Sequence, residues 1–355
     1  MPTISLCMIV KNEERTLARC LDSIKDAVDE IIIVDTGSTD QTKTIALDYT
    51  QCVYDFPWIN DFAAARNEAF SKATMGYQMW LDADDVFPAE SLEKLLALKA
   101  SLDPAVDIVT MKYITCFDPV FSFSRERMFK REKGYTWQDP VHEFIQMSGN
   151  ILRTDIEVHH KKEAPKVAST RNLDIYTSLV KTGKTLTPRQ LYYYARENKD
   201  HGIWPQAAYY FEEFLATKQG WVEDNIAACL SLGICYRKLG DTEKVLPALL
   251  RSFEYDTPRA EICNEIGYMY KRSGDYAKAL KWFQLIANQP PPETGGFVQP
   301  DEWGYIPNIE SCVCACYMGD YKKARYFNER AAEYKPEAKQ VVHNRQYLDS
   351  IQLEG

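Results

Sequence analysis

The sequence predicts two architectures in succession: an α/β domain built on a mostly parallel sheet, then an all-α array of repeated helix pairs. Three observations carry this. Residues 3 to about 115 alternate short apolar runs with amphipathic stretches, as successive βαβ units do. From about residue 188 the strand signal is gone and a repeat of 34 residues takes over. The 355 residues are also about twice the usual size of one domain. The expected boundaries are 1–165 for the first domain, 166–187 for a junction rich in Lys and Thr, and 188–355 for the repeats.

Residues 3–10 form the first strand candidate. After the polar turn Lys11-Asn12-Glu13-Glu14, Leu17, Cys20, Leu21 and Ile24 recur at helical spacing, and 30–35 (EIIIVD) is a second, β-branched strand. Residues 41–49, 62–72 and 89–99 read as helices, and 77–81 and 108–114 as strands. Strand then helix with short connections implies a parallel sheet covered on both faces. Ligands of such sheets bind beyond the carboxyl ends of the strands, so 11–14, 35–40 and 82–85 should converge on one crevice.

In the second half Leu232-Gly233, Tyr236, Gly240 and Asp241 recur 34 residues later as Ile266-Gly267, Tyr270, Gly274 and Asp275, the tetratricopeptide period. A further copy carries Gly319, Asp320, Tyr321, Ala324, Tyr326 and Phe327 after a Pro/Gly-rich insertion at 290–300, and a degenerate one spans 192–214. Each glycine should end the first helix of its pair, with alanines letting helices approach and aromatics filling between them. Three to four such units suffice for a stable solenoid.

Composition narrows the function. Hydrophobic residues at 45% and charged residues at 26% are those of a folded protein, and a net charge of -9 without basic runs argues against a nucleic-acid partner. No apolar stretch reaches membrane-spanning length and the start lacks a basic leader, so the expected location is cytoplasmic. The ten cysteines are too scattered for a disulfide scaffold. Cys312, Cys314 and Cys316 have the look of a metal clip, but no second Cys or His pair stands at zinc spacing, and helix packing is the preferred reading. Thr182-Gly183-Lys184-Thr185 imitates a phosphate-binding loop, yet Ser178 stands where the loop needs its first glycine.

The strongest chemical feature is Trp80-Leu81-Asp82-Ala83-Asp84-Asp85, three carboxylates released at the end of an apolar strand. Clustered carboxylates repel one another unless a cation sits among them, and Mg²⁺ or Mn²⁺ is the natural occupant. A helix-capping turn is the plain alternative. With Ile9-Val10-Lys11-Asn12-Glu13-Glu14 and Val34-Asp35-Thr36-Gly37-Ser38-Thr39-Asp40 upstream, the series resembles the family-2 glycosyltransferases of the GT-A fold, over residues 3 to about 163.

That resemblance implies a metal-dependent, inverting transferase using a nucleoside-diphosphate sugar, with UDP expected. It implies that Asp35 recognises the base of the donor and Glu13 its ribose, that Arg66 faces the diphosphate, that Asp82 meets the ribose or sugar, and that Asp84 holds Mn²⁺ or Mg²⁺; read from the residues alone, Arg66 is equally a surface helix residue paired with a carboxylate. Val10 and Ala83 join the donor-binding set by the same likeness. An ionised Asp can only accept, which suits a uracil imide N–H; Asp35 is equally suited to an Asx turn before Gly37, and can do both.

Downstream lies Trp137-Gln138-Asp139-Pro140-Val141-His142-Glu143, similar to family-2 enzymes fused to tetratricopeptide repeats. Single displacement needs one base, for which Glu143 is taken first and Asp139 second. His142 either orients or ligates, or is structural; Trp137 either stacks on a sugar or packs the core. The pair His159-His160 ends a strand where the family carries a histidine near the metal or diphosphate in an H-x-G-Y pattern, from which His159-His160-Lys161-Lys162 departs; His159 is ranked ahead of His160 as ligand, and Lys161 or Lys162 either closes over the diphosphate or belongs to a solvated junction. The expected partners are a UDP-sugar and a peptide, protein or glycan acceptor, with homodimerisation through the repeats as another use for them. The fusion resembles, in arrangement alone, bacterial enzymes that glycosylate bacteriocin peptides. A non-catalytic adaptor is the rival reading.

Overall fold

A computed structural model describes residues 2–115, 122–161, 169–292 and 298–351. Cys116 and Lys162 lie outside the described residues, as do parts of the junction and of the Pro/Gly-rich insertion. The chain divides into two compact units, Met1–Ser178 and Leu179–Gly355.

The first unit is a three-layer α/β domain. In chain order it holds β1 (Ile4–Val10), α1 (Leu17–Asp22), β2 (Glu30–Asp35), α2 (Thr42–Tyr49), β3 (Val53–Asp55), α3 (Phe62–Lys72), β4 (Tyr77–Trp80), β5 (Asp85–Val86), α4 (Ala89–Ser101), β6 (Ile108–Ile114), β7 (Ser122–Lys130), β8 (Trp137–Gln138), β9 (Phe144–Ile145), β10 (Ile151–His160) and α5 (Arg171–Lys181), which runs past the boundary at Ser178. The main sheet has the order β3-β2-β1-β4-β7-β6-β10-β5, and β8 and β9 form a separate ribbon.

Alternation along β1 explains why helices cover both faces. Ile4, Leu6, Met8 and Val10 pack with Leu17 and Leu21 of α1, Ala46 of α2 and Leu95 of α4. Cys7 points the other way, into a cluster with Ala63, Ala69 and Phe70 of α3 and with Trp137 and Ile145 of the ribbon. The pairs β2·β3, β1·β2, β1·β4 and β6·β10 are parallel, as expected. The insertion of β7, antiparallel to both β4 and β6, departs from the expected alternation; its outer half mixes Ser, Arg and Glu into the strand and carries no clean apolar signal.

The second unit is helical. Its helices are α6 (Pro188–Asp200), α7 (Trp204–Thr217), α8 (Val222–Leu239), α9 (Thr242–Leu250), α10 (Ala260–Arg272), α11 (Tyr276–Ile286), α12 (Tyr305–Tyr317), α13 (Tyr321–Ala332) and α14 (Lys339–Ser350). Gly202, Gly240, Gly274 and Gly319, at φ +72°, +83°, +80° and +75°, each follow the first helix of a pair in the left-handed conformation that ends a helix. Gly267 marks the close approach of α10 and α11: a Cβ there would stand 2.6 Å from the Phe283 ring. Among the described residues no helix is long and apolar enough to cross a membrane.

Two expectations are refined. The junction holds a helix, α5, because Leu173, Ile175 and Tyr176 are buried despite the polar surroundings. The cysteine triplet sits on α12, where Cys312 and Cys314 pack with Phe283 and Phe327. Burial pushes their thiols up to about 12 and about 11, so they are poor sources of a metal-binding thiolate.

Candidate active site

The carboxyl ends of the parallel strands open on a cleft of about 420 Å³. Of the residues singled out above, Val10, Glu13, Arg66, Asp82, Ala83, Asp84, His142, Glu143 and His160 line it. Asp35, Asp139, His159 and Trp137 do not, although Val10 and Thr36, which flank Asp35, do.

The first two loops are sewn together by side chains. The backbone N–H of Asn12 donates to Ser38 Oγ at 3.0 Å, and Thr39 N–H donates to Asn12 Oδ1 at 2.8 Å. Glu13 N–H donates to Thr42 Oγ1 at 2.6 Å, and Thr16 Oγ1 to Glu13 Oε2 at 2.7 Å. Asp35 stands between the loops, 3% exposed. Its Oδ1 accepts from Gly37 N–H at 2.9 Å and Ser38 N–H at 2.8 Å, closing the turn that Gly37 permits with φ +100°. Its Oδ2 is buried with no hydrogen-bond partner among the described residues. The Asx turn therefore uses one oxygen and leaves an acceptor vacant beside Val10 and Thr36 of the cleft.

The third loop follows β4. Arg66 Nη2 donates to Asp82 Oδ1 at 2.8 Å and Arg66 Nε to Glu143 Oε1 at 2.8 Å. Burial raises the Asp82 carboxyl, but Arg66 and Arg127 outweigh it and hold the group below its ordinary range. Next come Asp84, Asp85 and His160, whose ligand atoms lie within 4.8 Å of one another. His160 Nδ1 is 3.4 Å from Asp84 Oδ1 and 3.5 Å from Asp85 Oδ1, and makes a good hydrogen bond to neither. Asp84 and Asp85 push the imidazole up to about 10. Asp85 is fully buried and already occupied: Oδ2 is 3.1 Å from Arg127 Nη1 and Oδ1 accepts from Tyr113 at 3.0 Å. Two carboxylate oxygens and one imidazole nitrogen are a donor set that fits Mn²⁺ or Mg²⁺.

The ranking of the two histidines does not match their placement. In the antiparallel pairing of β10 with β5, His160 stands opposite Asp85 and His159 opposite Val86. Residues opposite each other share a face and neighbours alternate. His160 is thereby brought to Asp84 and Asp85, while the His159 ring is 2.9 Å from Glu157 Oε2.

Glu143 is delivered by the β8–β9 ribbon. Asn67 clamps the ribbon to α3, accepting from Trp137 N–H at 2.8 Å and donating to Trp137 C=O at 2.9 Å. Trp137 is core, 3% exposed and 5.2 Å from Trp80 between ring centroids. Between the two strands Asp139 and His142 adopt φ +69° and +55°, left-handed backbone outside glycine. His142 stacks on Tyr176 at 6.4 Å, with 18° between the rings.

Lys11, Arg125, Arg171 and Asn172 also line the cleft, and sequence reasoning assigns them no role. Arg125 lies on the inserted strand β7, and Arg171 and Asn172 begin α5 where the composition reads as solvated junction.

Residues 5–158 match the family model described as glycosyl transferase family 2. A TPR repeat-containing protein of Synechococcus elongatus is 37% identical over 150 residues, 42% of this chain and 36% of that protein. The SPbeta prophage-derived glycosyltransferase SunS of Bacillus subtilis is 28% identical over 214 residues, 55% of this chain and 49% of its own length. The chain thus spans about half or less of these relatives. Among solved structures, glucosyl-3-phosphoglycerate synthase of Mycobacterium tuberculosis, in complex with Mn²⁺ and UDP-glucose, aligns with a TM-score of 0.36 and 16% identity, covering 53% of this chain and 82% of that one.

Proposed function

We propose, from the match of residues 5–158 to the glycosyl transferase family 2 model, that the chain is a metal-dependent, inverting glycosyltransferase. It takes a sugar from a UDP-sugar to a peptide or protein acceptor engaged by the helical repeats. The observation that carries the reading is the convergence on one cleft of Glu143, of Asp84 and His160 with Asp85 buried beside them, and of the loop residues flanking the vacant Asp35 Oδ2.

Asp35 Oδ2 accepts the imide N–H of the base, and Glu13 and Asp82 receive the ribose and sugar. Asp84 and His160 hold the divalent ion, with Asp85, braced by Arg127 and Tyr113, behind them. When bound, the ion neutralises charge developing on the leaving diphosphate. Glu143 Oε1 is engaged by Arg66, and Oε2 has no partner among the described residues. Glu143 takes the acceptor's proton as the new bond to the anomeric carbon forms. The carbon–oxygen bond to phosphate breaks, and its electron pair leaves with UDP.

A stacked repeat array presents an extended surface suited to a peptide, which favours that acceptor class. The test is release of UDP from a panel of UDP-sugars with Mn²⁺ or Mg²⁺ supplied or chelated. Turnover that requires the metal is expected; a protein that neither binds nor consumes any of them removes the reading.

A further inference from the structure

Arg66 departs furthest from the role its motif implies. A diphosphate ligand at this position should offer its guanidinium to the cleft. Instead Nε and Nη2 are both taken, by Glu143 and Asp82, and only the third nitrogen, Nη1, is left without a hydrogen-bond partner among the described residues, buried at the aromatic wall. The guanidinium carbon lies 4.8 Å from the centre of the Trp80 ring and 4.9 Å from that of Trp137, and the residue is only 7% exposed. Turning it toward a phosphate would break two charge-assisted hydrogen bonds, abandon two aromatic faces and leave Asp82 and Glu143 unpaired at the cleft wall. The cleft does not need it for charge, because Lys11, Arg125 and Arg171 line the same space and are more exposed.

We infer that Arg66 is a positioning residue and not a diphosphate ligand: gripped by Trp80 and Trp137, it ties the base Glu143 to the donor-side carboxylate Asp82. The inference rests on the functional reading above. Glu143 sits on a short ribbon loop with two residues in left-handed backbone, and Asp82 follows the end of a strand of the main sheet. Arg66 sets the distance between them, so the base is aligned with the donor it serves. The planar fork matters as much as the charge, since one ammonium cannot reproduce two bonds in that geometry.

The test is Arg66→Lys, with UDP affinity measured by calorimetry in Mn²⁺ and hydrolysis followed on whichever of UDP-glucose, UDP-galactose and UDP-N-acetylglucosamine wild type consumes fastest. UDP affinity and KM are expected to stay within about threefold, while kcat falls on the order of a hundredfold, within the range of a misplaced general base. Arg66→Lys combined with Glu143→Gln should be no slower than Glu143→Gln alone, a non-additivity that a merely structural role would not produce. A loss of UDP affinity of about tenfold or more overturns the inference, and so does an unchanged kcat. If Arg66→Lys does not fold, Arg66→Gln with Glu143→Gln removes the charge pair and decides by the same affinity criterion. A wild type that neither binds UDP nor consumes any of the three donors removes the functional reading and this inference with it; a wild type that does, paired with a variant failing in binding, removes this inference alone.

Discussion

At Asp35 one carboxylate oxygen closes a turn and the other has no partner among the described residues, and the proposed base-binding role of the second can be separated from the first by experiment. Asparagine keeps an Oδ1 for the Gly37 and Ser38 amides and puts an N–H where Oδ2 stood, facing another donor. Asp35→Asn should therefore weaken UDP binding about 10- to 100-fold, measured by calorimetry, with little change in melting temperature. Asp84→Ala should abolish the metal-dependent part of UDP binding while circular dichroism stays that of the wild type, since among the described residues the Asp84 side chain reaches no partner but His160. Glu143→Gln should keep UDP binding and lose turnover, and Asp139→Asn should keep both, because Asp139 does not line the cleft. At this scale residue type is legible in the chain itself: carboxylates at 35, 82, 84 and 143 advertise their chemistry. Which neighbour faces inward is not. His159 and His160 are chemically identical, and only the register against β5 separates them.

Elements with a strong period are legible, and short ones are not. The strands at 30–35 and 108–114 follow from short, continuous apolar runs rich in β-branched residues, and the helix at 89–101, expected over 89–99, from helical spacing of its leucines. β5, β8 and β9 have two residues each and so no period to detect, yet they position His160 and Glu143. They form because partners far along the chain supply the other side of the ladder. In the helical unit the glycines state the repeat and the packing decides their cost. Gly267→Ala would bring a methyl against Phe283 and should lower the stability of that unit by roughly 1–3 kcal/mol in chemical denaturation. Adding Phe283→Leu should recover part of it; equal losses in the single and double variants would contradict the close-approach account.

For the whole molecule, ligand binding and folding are linked. Mn²⁺ with UDP at a hundred times its dissociation constant should stabilise the unit of residues up to 178 by about 2.7 kcal/mol, seen as a rise in its melting temperature that a chelator reverses. Against the net charge of -9, Lys11, Arg125 and Arg171 gather positive charge at the cleft, which suits the anionic donor proposed above. Two halves of different periodicity, the order of the longer helices and central strands and the three acidic loops can be read from the chain alone, because apolar spacing and loop chemistry are local properties. Register, the insertion of β7, the choice of His160 over His159 and the capture of Arg66 between Trp80 and Trp137 come only with the folded domain. Each joins residues tens of positions apart, and which of them meet is decided by how the sheet and its covering helices exclude water together.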